Sequence, residues 1–256
     1  MKIVFHDRFY VANYSMDPAA SPGRIKSIMN ILKENKDFEF IIPTPATTED
    51  ILRAHSERHY NYIESDPLLF ELATLAAGGS MLAAEESYNG NPSFAVIRPP
   101  GHHASSDSAW GFCFFNNVSI SLLKLFSEKK IKSAFVLDFD LHDGDGNIGI
   151  LMNRNDGFRV EILNPMSSPP KYYLKSVKDY MEDLKEIDII TASAGFDQGI
   201  EDWGNLLSPK DYTELGSIMK EYSEKLCNGR RYALLEGGYN HDVLGKNVDA
   251  FCQGFK

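Results

Sequence analysis

Apolar residues in this chain come in two rhythms. Short runs are almost continuously apolar, such as Ala134-Phe135-Val136-Leu137 and Ile187-Asp188-Ile189-Ile190. Longer runs place apolar residues three and four apart, as Ile25, Ile28, Ile31 and Leu32 do. The first is the pattern of parallel strands buried on both faces, the second that of a helix with one buried face. Strands are therefore expected at Lys2–Phe5, Phe38–Ile42, Ser93–Ile97, Ser133–Phe139, Phe158–Leu163, Ile187–Ser193 and Tyr232–Leu235. Helices are expected at Pro22–Glu34, Pro67–Tyr88, Asn117–Glu128, Pro170–Lys185 and Pro209–Leu226. Prolines stand near several of those starts, where a missing N–H costs little. Alternation of the two element types predicts an α/β fold. A central, mainly parallel β-sheet would carry helices on both faces, in a single domain over residues 1–256.

In such sheets chemistry collects beyond the carboxyl ends of the strands. The densest candidate is Asp138-Phe139-Asp140-Leu141-His142-Asp143-Gly144-Asp145-Gly146, which follows the apolar run Val136-Leu137. In extended backbone, alternate residues share a face. Asp138, Asp140 and His142 would then offer two carboxylates and an imidazole to a divalent metal, and a catalytic zinc wants three protein ligands and an open position. Alone, the segment also reads as a polar turn. Asp197 ends another buried run and is the leading third ligand; by itself it reads as a helix cap. His102 and His103 follow a strand and a Pro-Pro-Gly turn. Neutral imidazole can take a proton from a metal-activated water and imidazolium can return one to a leaving amine. Each would need a carboxylate on its far nitrogen. Tyr239 follows Gly237-Gly238, and a phenol can donate to a developing oxyanion. Gly111-Phe112-Cys113-Phe114-Phe115 reads either as the lining of an apolar slot or as ordinary core.

Charge and composition narrow the setting. Lys and Arg number 26 against 36 Asp and Glu, a formal charge of −10, which disfavours direct nucleic-acid binding and mildly favours a cationic partner. Three widely spaced cysteines, Cys113, Cys227 and Cys252, form no disulfide framework, as a reducing cytoplasm would have it. No uninterrupted apolar run approaches the ~20 residues that span a bilayer, and the start lacks a signal-peptide stretch, so neither membrane association nor export is expected.

Five segments occur in order: Pro100-Gly101-His102-His103-Ala104, Gly111-Phe112-Cys113, Asp138-x-Asp140-x-His142-x-Gly144-Asp145-Gly146, Ala194-Gly195-Phe196-Asp197 and Glu236-Gly237-Gly238-Tyr239-Asn240. Together they resemble the histone deacetylase / acetylpolyamine amidohydrolase family, on the arginase–deacetylase fold, in a compact prokaryote-like form. Pro22-Gly23-Arg24 and Ala54-His55-Ser56 extend the likeness towards the N-terminus. The resemblance implies that Asp140, His142 and Asp197 bind zinc, with ferrous iron as the other candidate. His102 and His103 match the tandem histidines, backed by Asp138 and Asp145 respectively, and Tyr239 the tyrosine that polarises the acetyl carbonyl. Phe112 matches a wall of the acyl-lysine tunnel, with Gly111 and Gly238 beside the substrate. Arg24 and Cys113 match an internal acetate-release channel. Backbone carbonyls of Asp138, Asp140 and His142 match a potassium site.

The implied activity is zinc-dependent hydrolysis of the acetyl amide of an acetylated amine: acetyl-lysine in protein or peptide, an acetylpolyamine or a small acetylated metabolite. Two departures stand out. Asp143 replaces a histidine common in the family. Between Gly146 and Asp197 the chain is short of a strand and a glycine-rich rim loop, which opens the mouth and removes part of the potassium site. A neighbouring subunit of a homo-oligomer could supply the missing wall. Two other readings remain open: a vestigial member that binds acyl groups or partners, and an arginase-like binuclear manganese hydrolase.

Overall fold

The computed structural model describes residues 1–11 and 14–256. Its strands are β1 (Lys2–Val4), β2 (Glu39–Ile41), β3 (Ser93–Ala95), β4 (Ser133–Asp138), β5 (Arg159–Leu163), β6 (Ile189–Ala194) and β7 (Arg231–Leu235). Every strand read from the sequence is present, trimmed by a residue or two where the apolar run outlasts the pairing. The helices are α1 (Arg8–Val11), α2 (Gly23–Leu32), α3 (Thr48–Leu52), α4 (Glu57–Glu64), α5 (Pro67–Tyr88), α6 (Asn117–Ser127), α7 (Asp145–Leu151), α8 (Pro170–Asp183), α9 (Pro209–Cys227) and α10 (His241–Phe255). The five expected helices are α2, α5, α6, α8 and α9. The other five were not legible from periodicity.

The seven strands form one sheet in the order β2-β1-β3-β7-β6-β4-β5, and every pairing is parallel. Parallel pairing puts all carboxyl ends on one edge. The four central strands, β3, β7, β6 and β4, are buried throughout, which is why they read as continuous apolar runs. Their registers align the ends closely: Asp138 lies opposite Ser193, and Ala194 opposite Leu235. The four loops that follow these strands carry four of the five sequence motifs directly, and the fifth, around Gly111, stands in the long loop after β3. Sheet order thus brings distant segments of the chain to one place.

Beneath that edge Phe94, Phe139, Phe196, Tyr212 and Phe251 form an aromatic layer, with ring centroids 5.0 Å apart for Phe196–Tyr212 and 5.2 Å for Phe139–Phe251. Helix α10 packs on α9 and α2, while α5 packs on α6, β1, β3 and β7. Helix α5 is long and apolar enough to cross a membrane by length and composition, at a mean hydropathy of 1.4, yet 61% of that window is buried inside this fold.

Candidate active site

Each expected site residue sits at the carboxyl edge of the sheet. Asp140 and His142 lie in the loop after β4, and Asp197 in the loop after β6. One ligand atom from each falls within 4.8 Å of the other two. His142 Nδ1 donates to Asp140 Oδ1 at 3.1 Å and lies 3.3 Å from Asp197 Oδ2. Asp140 Oδ2 accepts from the Gly237 backbone N–H at 2.9 Å, and Asp197 Oδ1 from that of Leu141 at 3.0 Å. A Cβ on Gly237 would stand 2.5 Å from Asp140 Oδ2 and 2.9 Å from Asp197 Oδ2. Only glycine lets β7's loop close over the two carboxylates.

This set fits a divalent cation. Asp197 Oδ2 is buried, and its contact with His142 Nδ1 at 3.3 Å falls short of a well-formed hydrogen bond, an under-satisfied position that normally costs about 1–3 kcal/mol. Two carboxylates share the space, so burial and the charge of Asp140 push the Asp197 carboxyl upward. Contacts with the Asp140 and Asp197 carboxylates push His142 up to about 10. The cluster therefore retains a proton where a cation would satisfy the same charges, and carboxylate and imidazole are ordinary zinc ligands. Asp138 does not join this set, as its alternation with Asp140 and His142 had suggested. The strand ends at Asp138, and that side chain turns to other partners.

Those partners are the tandem histidines' neighbours. His102 Nδ1 donates to Asp138 Oδ2 at 3.2 Å, and Asn147 Nδ2 donates to the same oxygen at 3.0 Å. His103 Nδ1 donates to Asp145 Oδ1 at 2.7 Å. The two rings lie 4.0 Å apart, yet their environments separate them. Burial disfavours a charged His102, but the negative charges of Asp138 and Asp140 outweigh it and hold the imidazole protonated well above its usual range. Burial, and then the His102 charge, lower His103 to about 4 against the pull of Asp145. One imidazole is kept charged and the other neutral, the division that adjacent acid–base groups need.

The turn Trp110-Gly111-Phe112-Cys113 packs against His103. Gly111 and Phe112 both have positive φ, 60° and 61°, and the Cys113 N–H donates to the Trp110 carbonyl at 3.0 Å. This primed turn lays the Trp110 indole on His103, with centroids 3.7 Å apart, and its Nε1–H donates to Asp145 Oδ2 at 3.0 Å. The motif divides its aromatics: Phe115 is core, stacked on Tyr60, while Phe112 is only half-buried.

On the far side stands Tyr239. Arg24 is buried and donates through Nε to the Gly238 carbonyl at 2.6 Å and through Nη2 to the Glu236 carbonyl at 2.5 Å. Its guanidinium lies 5.2 Å from the Tyr239 ring centroid. Trp203 covers the ring, with centroids 4.0 Å apart. Asp202 Oδ2 accepts from the Tyr239 and Asn240 N–H groups at 2.8 and 2.9 Å. Burial and the Asp140 charge raise the phenol's pKa, so it stays a neutral donor. Cys113 and Glu236 are buried behind the site, and burial lifts the Glu236 carboxyl to about 7.

Several supporting residues escaped the sequence reading: Trp110, Asn147, Asn164, Asp202, Trp203 and the side chain of Glu236. Asp202 and Trp203 lie in the same post-strand loop as Asp197, a placement that a systematic reading of each strand's following loop would have flagged.

Fold and site together define an α/β protein with a candidate metal centre at its strand ends. A histone deacetylase domain profile matches residues 66–168 and 152–255, two segments that meet at β5 and the loops around it. The chain belongs to the histone deacetylase family. It is 28% identical to a probable deacetylase of Methanothermobacter thermautotrophicus over 302 positions, covering 98% of this chain and 90% of the relative. A probable deacetylase of Archaeoglobus fulgidus is 28% identical, over 93% of this chain and 81% of that one. The first alignment is longer than the 256 residues available, so several dozen of its positions have no counterpart here. A solved structure described as the HDA15 HD domain superposes with a TM-score of 0.84 at 20% identity, over 99% of this chain and 88% of that one. That likeness establishes the arginase/deacetylase-like fold.

Proposed function

We propose that residues 1–256 form a single catalytic domain that hydrolyses the acetyl amide of an acetylated amine with the help of a divalent metal. The observation that carries this reading is the pair of neighbouring imidazoles, 4.0 Å apart and each on its own carboxylate, beside a three-ligand cluster and a half-buried tyrosine. Asp140, His142 and Asp197 would hold the metal, zinc being our choice over ferrous iron. When bound, such an ion polarises a carbonyl and lowers the pKa of water towards ~7.

The chain's own groups supply the remainder. His103 Nε2 is free because Nδ1 is held by Asp145. It takes the proton of the attacking water as the C–O bond forms, and gives it to the leaving nitrogen as the C–N bond breaks. His102, held protonated by Asp138 and Asp140, places positive charge beside the developing oxyanion. The Tyr239 hydroxyl donates to that oxyanion, while Arg24, Trp203 and Asp202 fix its ring and backbone. Phe112 lines the entrance, with Gly111 and Gly238 beside the substrate. Buried Arg24 and Cys113 stand at the inner end, where an acetate-release channel would run, and the confined space suits a small acyl group such as acetyl.

The substrate is an acetyl-lysine peptide or protein, an acetylpolyamine or a small acetylated metabolite. Three free buried thiols agree with a cytoplasmic setting. A potassium ion on the carbonyls of Asp138, Asp140 and His142 has a competitor, because Asn164 Nδ2 donates to the Asp138 carbonyl at 3.3 Å.

The test is elemental analysis of the purified protein together with an assay of acetyl-lysine peptides, acetylpolyamines and longer acyl-lysines. One metal per chain with turnover of an acetyl substrate is expected. One metal without turnover would replace this reading with an acyl-binding protein, and two manganese ions would replace it with an arginase-like hydrolase.

A further inference from the structure

Behind the tandem-histidine turn lies a second group of donors. A nitrogen of His102, the sulfur of Cys113 and a carboxylate oxygen of Glu236 lie within 4.8 Å of one another. They come from three separate places: the turn after β3, the primed turn at Gly111 and the end of β7. All three are buried, with 3%, 1% and 0% of their surfaces exposed. Glu236 Oε2 accepts from the Gly101 and His102 N–H groups at 2.7 and 3.2 Å. Its other oxygen, Oε1, is buried with no partner. The Cys113 thiol makes a long contact, 3.7 Å, to the Gly111 carbonyl, and its sulfur also faces the His103 backbone N–H. His102 Nδ1 is committed to Asp138, and Nε2, 3.8 Å from Asp140 Oδ1, is the nitrogen that remains for an ion.

An unpartnered buried carboxylate oxygen beside a thiol and an imidazole nitrogen is a donor set that a cation would satisfy. Its chemistry differs from that of the outer cluster in one respect. Asp140, His142 and Asp197 offer only nitrogen and oxygen, whereas this group adds sulfur, the ligand that selects zinc, cobalt or cadmium over magnesium or calcium. Zinc bonds of about 2.0–2.3 Å would draw the donors together through small side-chain rotations.

We propose that His102, Cys113 and Glu236 form a second, inner cation site for a borderline divalent ion, and that filling it switches the catalytic site off. On binding, metal bonds form to the sulfur and to His102 Nε2, the thiol proton and the Nε2 proton of the charged imidazole pass to solvent, and nothing is oxidised or reduced. An ion on His102 Nε2 takes that imidazole out of its role beside the substrate and occupies the buried inner end of the site. Metal would then act twice, supporting activity at one equivalent and suppressing it above one. The suppression rests on the deacetylase reading, whereas the binding does not.

Cobalt titration of the metal-free protein separates the two. The first equivalent, in the nitrogen–oxygen cluster, gives visible d–d absorption and no sulfur band. The second gives a thiolate-to-cobalt charge-transfer band in the near ultraviolet. Cys113→Ser and Cys113→Ala lose that band, keep the first-equivalent spectrum, and weaken inhibition by excess zinc by at least the ~10–100-fold typical of an altered metal shell. Cys227→Ser keeps the band. Absence of the band in the unmodified chain at several equivalents overturns the proposal without any variant, as does a band that survives in the Cys113 variants. If the band appears as described but no acetyl substrate is turned over, the inner site stands and the deacetylase reading falls.

Discussion

The two ends of the candidate site are built on opposite principles. The inner end is buried: Arg24, Cys113 and Glu236 are each 1% exposed or less, and the arginine clasps two carbonyls of the β7 loop. The outer rim is open. His142 keeps 39% of its side-chain surface exposed, and both tryptophans of the protein stand there, Trp110 52% and Trp203 60% exposed. The inner end depends on hydrogen bonds that only a buried site can hold, the rim on aromatic stacking over residues that do the chemistry.

The largest expected effects break the inner machinery. Tyr239→Phe removes one oxyanion donor and should lower kcat by about 10²–10³ with metal content unchanged; steady-state kinetics and elemental analysis on one preparation check both. Asp202→Ala removes the acceptor of two N–H groups that hold the Tyr239 backbone. It should cost less than Tyr239→Phe, and combining the two should add little, which a double-mutant cycle reads directly.

A smaller effect probes the charge division. His103 is lowered to about 4 from its usual 6.5, so between those values the unfolded chain binds a proton that the folded one does not. The stability carried by neutral His103 is complete above pH 6.5 and declines as pH falls towards 4. The acid limb of kcat/KM assigned to this base should likewise lie below 6.5, and a limb at or above that value would contradict the assignment. At the rim, Trp203→Ala should reduce turnover by roughly tenfold or less, a stacking contribution of order 0.5–1.5 kcal/mol, and Trp203→Phe should recover most of it. If Trp203 acts through Tyr239, the effect vanishes in a Tyr239→Phe background; equal losses in both backgrounds would make it a substrate contact instead.

The sequence carried the inner end well and the rim poorly, for physical reasons. Central strands buried on both faces leave unbroken apolar runs, so β4, β6 and β7 were legible, and so were the polar loops behind them. Helix α10 was not, although Leu244, Val248, Phe251 and Phe255 lie on one helical face. Gly245 and Gly254 lower its helix propensity and blurred the pattern. Short α3 and α4 rest on caps, a Thr47–Asp50 capping box and a Ser56 cap, rather than on periodicity. Asp138, Asp140 and His142 were visible as a group, but alternation could not tell that Asp138 turns to His102. Nor could it place Asp202 and Trp203, whose value lies in stacking and backbone capping across the sheet edge.

The central claim is metal-assisted amide hydrolysis at the strand ends. Its most direct test is turnover of one acetyl-lysine peptide by a single preparation, before chelation, after it, and after stepwise return of zinc. The account predicts activity that is lost on chelation and restored at one equivalent per chain. Turnover indifferent to chelation, or absent at every metal loading, would contradict it.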